Sequence, residues 1–239
     1  MFFRRRDVLS PAARSIKTFG LDENFIREKL KDVAARLDIL SHPKGVDIRI
    51  TAGGETPSES VKLLDAIETK IRNRLGDSVF GVDNEKMEEA LGRIMEASGS
   101  TVAVAESCTG GLICHWITNV PGSSRYFKQG FIVYSDHAKT DSLGIDKKIL
   151  HDFGAVSSQA VEEMAKRARH IAGTNTAIAV SGIAGPAGGA ENKPVGTVYI
   201  CIIANGTMKT EKFQFKGWRE LVKIQAAQTA LDMLRRNLK

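Results

Sequence analysis

The sequence predicts an α/β protein: a three-layer α/β/α domain with a mostly parallel sheet, preceded by a small α+β domain. Three observations carry this. From residue 83 onward, short apolar runs alternate with amphipathic helical stretches, the pattern of a sheet covered on both faces. Several of those runs end in a serine or tyrosine followed by glycine or a helix start. Residues 1–82 instead hold two helical stripes and three short strands, enough for one small domain.

In the first part, Arg14 to Phe19 is a strand candidate. Asp22 to Leu37 is predicted helical, with Asp22 as cap and Phe25, Leu30, Val33 and Leu37 on one face. Val46 to Thr51 alternates with period two, as a half-buried strand does. Ser58 to Leu75 is a second helix with Val61, Leu64, Ile67, Ile71 and Leu75 on its stripe, stopped by Gly76. Val79 to Val82 is a last short strand. The layout is similar to small KH-like RNA-binding domains, but no G-x-x-G loop is present. Acids and bases nearly balance here, which favours a structural or dimerisation role.

In the second part, Glu85 to Ser98 is predicted helical, and Thr101 to Ala105 a buried strand. A helical stretch runs through Ile113 and Ile117, and Phe131 to Tyr134 is another strand. Ser157 to Ile171 is a helix with Val161, Met164, Ala168 and Ile171 inward; Thr176 to Val180 is a buried strand. Gly196 to Ala204 and Lys209 to Phe215 are strands joined by a turn at Asn205-Gly206, which implies an antiparallel edge. Arg219 to Leu238 is a C-terminal helix.

The totals exclude several classes. The chain has 239 residues, 42% hydrophobic and 26% charged, an ordinary globular balance. A formal charge of +6 is compatible with anionic ligands and too diffuse to imply nucleic acid. Cys108, Cys114 and Cys201 are odd in number and irregularly spaced, which fits a reducing, cytoplasmic setting rather than a disulfide framework. No apolar run approaches the roughly 20 residues that span a membrane. The basic start Met1 to Arg6 lacks a following apolar segment, so it does not read as a signal peptide. The histidines show no metal-ligand spacing, so neither metal nor cofactor is expected.

The most informative stretch is Ala105 to Leu112, A-E-S-C-T-G-G-L. A strand ending in Glu-Ser-Cys, then Thr-Gly-Gly, then a helix, presents a hydroxyl at the strand's carboxyl end. Glycines there let a ligand approach the backbone. The same pattern is also met where a serine only caps a helix. Tyr134, Ser135 and Ser181 follow other strands, and in an open α/β sheet these ends share one crevice. The loop between the first two strands adds Gly122, Ser123 and Ser124. Lys139 lies five residues after Tyr134, where a helix start can turn it back toward the crevice. Cys108 is a competing thiolate candidate, but neither His115 nor His137 has an evident partner pattern. Glu106 could cap or brace the turn.

Six ordered segments carry a resemblance. They are AESCTGG at Ala105, PGSSRYF at Pro121, G-F-x-x-Y-S-x-x-A-K ending at Lys139, GAVS at Gly154, SGIAGP at Ser181 and KPVGTV at Lys193. From about Glu85 onward the chain resembles the CinA C-terminal domain, the nicotinamide mononucleotide deamidase family. R-S-I-K-T-F-G-L-D-E-N at Arg14 and V-D-I-R-I-T-A at Val46 resemble, more weakly, the small linker domain that precedes it in full-length CinA proteins. Those proteins begin with a further domain resembling molybdopterin-binding proteins, with an assigned pyrophosphatase activity. This sequence starts after the position of that domain, and that activity is not carried over.

The resemblance implies amide hydrolysis: nicotinamide mononucleotide and water giving nicotinate mononucleotide and ammonia, in pyridine nucleotide recycling. Ser107 holds the family's nucleophile position. Lys139 is the implied general base, which requires a lowered proton affinity. Tyr134 would orient Lys139 or relay a proton, and Ser124 would hold that network or protonate the ammonia. Thr109, Gly110 and Gly111 would offer N–H groups to the oxyanion. Ser181 and Gly182 belong to the implied substrate loop, and Arg219 would meet the phosphate. Two departures stand out: Trp218 where the family commonly has Asp, and Ala187 where Asp or Gly is common. The expected partners are a nucleotide substrate and a second copy in a homodimer. Two alternatives remain: a non-catalytic nucleotide- or partner-binding module linked to competence or DNA damage, and an amidase for another small amide.

Overall fold

The computed structural model describes residues 10–238 and divides into two compact units at Lys86/Met87. The basic start Met1 to Arg6 lies outside the described residues.

The first unit runs β1 (Ser10–Thr18), α1 (Glu23–Leu30), β2 (Arg36–His42), β3 (Gly45–Gly54), α2 (Pro57–Leu75) and β4 (Val79–Val82). Its sheet has the order β2-β3-β1-β4, antiparallel throughout. Ile16 and Ile39 flank Ile48 across the sheet, and the three point into one core with Ile26, Leu30, Leu64 and Ile71 of the helices. Thr56 and Glu59 close α2 with a reciprocal capping box.

The sequence reading placed one helix over Asp22 to Leu37. The structure ends α1 at Leu30 and puts Arg36–His42 in β2. In that stretch Leu37 and Ile39, two residues apart, share one face of the strand, and pairing with Ile50 and Ile48 overrides a helical spacing too weak to bury them. Gly45 makes the return possible: a side chain there would begin 2.1 Å from the Thr18 carbonyl oxygen. The inward faces also shift. Phe25 and Val61, expected inside, are 43% and 46% exposed; Ile26 takes the inward place on α1.

The second unit runs α3 (Met87–Ser98), β5 (Val102–Glu106), α4 (Leu112–Thr118), β6 (Phe127–Ile132), α5 (Asp136–Leu143), α6 (Lys147–Phe153), α7 (Ser158–Ala172), β7 (Thr176–Gly182), β8 (Thr197–Ala204), β9 (Thr207–Gln214) and α8 (Arg219–Asn237). The sheet order is β6-β5-β7-β8-β9. The first three strands are parallel; β8 and β9 are antiparallel additions. The antiparallel edge is thus two strands deep. Asn205 and Gly206 both have positive φ, as a two-residue hairpin turn requires.

Strand periodicity sorts the two faces. Ala103, Ala105, Ala177, Ala179 and Cys201 face α7, whose Val161, Met164, Ala165 and Ala168 lie against them. Small residues on that face let the helix sit close. Val102, Val104, Ile178, Val180, Ile200 and Ile202 alternate to the other face, which α8 covers together with α3 and α4. Burying each such branched side chain contributes about 1.5–3 kcal/mol. Ile171, expected inside, is 43% exposed at the end of α7. The strand expected at Phe131 to Tyr134 is β6, which starts at Phe127 and ends at Ile132. Its first half reads Lys128-Gln129-Gly130, exposed and polar as an edge strand is, so no apolar run marks it.

Candidate active site

The carboxyl ends of β5 and β7 meet side by side, and the pairing extends one residue further: the Ser107 N–H donates to the Val180 carbonyl at 3.0 Å. This holds Ser107, 7% exposed, at the rim of the sheet. The chain then turns sharply. Gly110 donates its N–H to the Ser107 carbonyl at 3.1 Å, and Gly110 and Gly111 both adopt positive φ before α4 begins. A residue with a side chain would strain there.

Glu106 anchors this turn. Its carboxylate, fully buried, accepts the N–H groups of Gly111 (2.9 Å), Ile113 (3.2 Å) and Cys114 (2.8 Å). Gly111, the residue capping α4, offers no side chain, so a strand carboxylate supplies the cap that α4 lacks. Of the N–H groups expected to face an oxyanion, those of Gly110 and Gly111 are therefore occupied. The Thr109 N–H has no acceptor among the described residues. The Thr109 hydroxyl is buried and also without a partner.

The second strand end supplies the lysine. Val133 donates to the Glu106 carbonyl at 2.8 Å, and Ser135 then caps α5 by accepting the Ala138 N–H at 3.0 Å. Lys139, in that first turn, folds back beneath the crevice and is 1% exposed. Its Nζ lies 3.5 Å from the Tyr134 carbonyl oxygen and 3.6 Å from Asp136 Oδ1. Burial lowers the lysine's proton affinity from its ordinary value, and the Asp136 carboxylate partly opposes this.

Tyr134 does not reach the lysine through its phenol. The Tyr134 hydroxyl accepts a hydrogen bond from Arg219 Nη2 at 2.6 Å, and Arg219 Nη1 donates to the Gly185 carbonyl at 2.8 Å. Both partners are neutral, and among the described residues no carboxylate pairs with Arg219. Ser181 donates to the Ala155 carbonyl at 2.7 Å, tying the end of β7 to the loop before α7. Gly182 packs where a side chain would meet Val198 Cγ2 at 2.6 Å.

A cleft of about 260 Å³ gathers Ser107, Tyr134, Lys139, Ser181, Gly182 and Arg219. Thr109 is fully buried and outside the lining, and Gly110 and Gly111 form the turn rather than the lining. Ser124 is not brought in: it is exposed in the tight turn Ser123–Arg125, where its carbonyl accepts from Lys128. Cys108 lines the cleft, but burial pushes its thiol up to about 12, far from a thiolate at neutral pH. Asp136 also lines the cleft and escaped the sequence reading. Its spacing of three from Lys139 on one helix was the available signal. No group of three or more His, Cys, Asp or Glu residues gathers to hold a metal among the described residues.

A serine on a strand-to-helix turn, lining one cleft with a buried lysine at the carboxyl ends of a mixed sheet, defines the class: an α/β protein with a Ser–Lys cleft. Residues 84–238 match the CinA C-terminal domain, and residues 13–81 the KH domain of damage-inducible protein CinA. The chain belongs to the CinA family. It is 41% identical over 234 residues to a competence-damage inducible protein of Clostridium beijerinckii, covering 95% of this chain and 56% of that relative. A relative from Moorella thermoacetica is 41% identical over 239 residues, covering 98% and 57%. The chain thus spans about half the length of the curated relatives it matches. Among solved structures, the competence/damage inducible protein CihA from Agrobacterium tumefaciens is 38% identical with a TM-score of 0.61, covering 65% of this chain and 98% of that one. Among the described residues no helix is long and apolar enough to cross a membrane.

Proposed function

We propose that the second unit is an amidohydrolase that converts nicotinamide mononucleotide to nicotinate mononucleotide and ammonia, within pyridine nucleotide recycling in the cytoplasm, as a homodimer. The observation that carries the reading is Lys139: a nearly inaccessible amine of lowered proton affinity, lining the same cleft as Ser107. A serine hydroxyl needs a base, and a lysine serves only if it is neutral.

Neutral Lys139 takes the proton of Ser107 as Oγ attacks the carboxamide carbon. The carbonyl π electrons move to oxygen, and the Thr109 N–H, without an acceptor among the described residues, is the donor offered to that charge. The tetrahedral species collapses, the C–N bond breaks, and the Lys139 ammonium returns its proton to the departing nitrogen, which leaves as ammonia. Water then attacks the acyl-serine with Lys139 again as base, releasing the carboxylate and restoring Ser107. Arg219, bonded only to neutral oxygens, keeps its charge for the substrate phosphate. Tyr134 fixes that guanidinium.

The test is production of ammonia and nicotinate mononucleotide by wild type, Ser107→Ala and Lys139→Ala, with EDTA present. Turnover by wild type, lost in both variants and indifferent to EDTA, is the expected result. A folded wild type without turnover at high substrate refutes the reading and favours a binding module or another amide.

A further inference from the structure

We propose that the groove beside the cleft is a second subsite, which takes the anionic linkage and the outer planar ring of a dinucleotide. The proposal rests on the amidase reading only for the direction in which the ligand lies.

The cleft holds about 260 Å³, below the roughly 300–1,000 Å³ of ordinary small-molecule sites. It suits the amide-bearing end of a nucleotide, and the rest must leave past Arg219. A groove of about 770 Å³ begins there, sharing Ala184 and Arg219 with the cleft. Its walls are mainly apolar, with Pro186, Val195 and the Trp218 indole among them. A phosphate alone does not call for such walls; a planar ring does.

Charge points the same way. Arg219 and Lys223 are four residues apart on α8, and so share one face. Both line the groove, and among the described residues neither pairs with a carboxylate; Glu220 is the single acid in the lining. The Lys223 ammonium also lies over the serine turn, 3.7 Å from where a Cβ on Gly110 would sit. Two uncompensated cations at the junction of cleft and groove suit a diphosphate linkage.

Trp218 completes the subsite. It occupies the N-cap of α8, where short polar side chains normally accept a backbone N–H, and it makes no such bond. The indole is instead 69% exposed beside the two cations. An exposed ring next to a cationic notch is the arrangement on which nucleobases stack.

The experiment titrates the full chain with nicotinamide adenine dinucleotide, adenosine diphosphate, nicotinamide mononucleotide and inorganic phosphate, following tryptophan emission and heat. The chain has two tryptophans, and buried Trp116 serves as the internal reference. Adenosine diphosphate carries the linkage and ring but no carboxamide, so it reports on the groove even if the amidase reading fails. The dinucleotide and adenosine diphosphate should quench Trp218, the mononucleotide far less. Trp218→Leu should remove the quench and weaken adenosine diphosphate at least about fivefold. Lys223→Gln should weaken it by a comparable factor. Adenosine diphosphate binding no tighter than phosphate, or equally well to Trp218→Leu, overturns the proposal. So does quenching that grows with protein concentration without ligand, which would assign the indole to a second copy of the chain.

Discussion

Asp136→Asn should make the proposed enzyme faster in mild acid. The carboxylate lies 3.6 Å from the Lys139 ammonium, and it is 64% exposed. Coulomb's law gives about 1 kcal/mol at that separation in water and about 5 kcal/mol at an effective dielectric near 20. The exposure of Asp136 places the pair near the lower figure, about 1 kcal/mol. That is roughly a fivefold change in the lysine's hold on its proton. The direction follows from the mechanism. Lys139 must be neutral to accept the serine proton, burial already favours the neutral amine, and Asp136 works against it. Removing the charge raises the neutral fraction at every pH below the lysine's midpoint. The acid limb of kcat/KM therefore moves to lower pH, with activity on that limb about fivefold higher and little change on the alkaline plateau. The assay is ammonia release across pH 5–10, with Asp136→Glu keeping the charge and the wild-type limb. An unmoved limb, or one displaced to higher pH, refutes Lys139 as the base whose protonation limits the reaction.

Other consequences follow from the same geometry. Lys139→Met should raise stability at pH 7 by about 1 kcal/mol, read as a higher urea midpoint, because it removes a buried ammonium. The lysine binds its proton less tightly folded than unfolded, where its ordinary value is 10.5, so wild-type stability climbs with pH up to that value and the gap to Lys139→Met closes. Glu106→Gln should cost about 2 kcal/mol, since its amide keeps one acceptor for three N–H groups, lowering the Tm of the second unit by about 5 °C. Turnover should survive iodoacetamide at pH 8, with Cys108 alkylated far more slowly than in unfolded chain; rapid loss of turnover on alkylation would reinstate the thiol as nucleophile.

Legibility in the sequence followed how local the physics was. Val79–Val82 and Thr176–Gly182 read correctly because an apolar run bounded by turn residues is sufficient for a buried strand. Arg36–His42 and the first half of β6 did not, because their partners, β3 and β5, hold them rather than any pattern of their own. The site divides the same way. Ser107 and Lys139 were visible because each sits at a strand or helix end marked by glycine or a capping serine. What their neighbours do was not visible: which N–H groups Glu106 would consume, or that the Tyr134 hydroxyl would turn to Arg219 while its carbonyl meets Lys139. Those outcomes depend on how the ends of β5, β6 and β7 converge across 75 residues of chain from Ser107 to Gly182. The convergence also explains why the lysine can be so poorly satisfied. Among the described residues its near oxygens are a carbonyl and an exposed carboxylate at 3.5 and 3.6 Å, at the long limit of hydrogen bonding, whereas buried Asp232 is closely paired with Arg235 at 2.7 Å and with Arg236 at 2.6 Å. A fold that pairs Asp232 closely along α8 yet leaves Lys139 loosely held in the cleft that Ser107 also lines favours the neutral amine, and that is what the proposed role as a base requires.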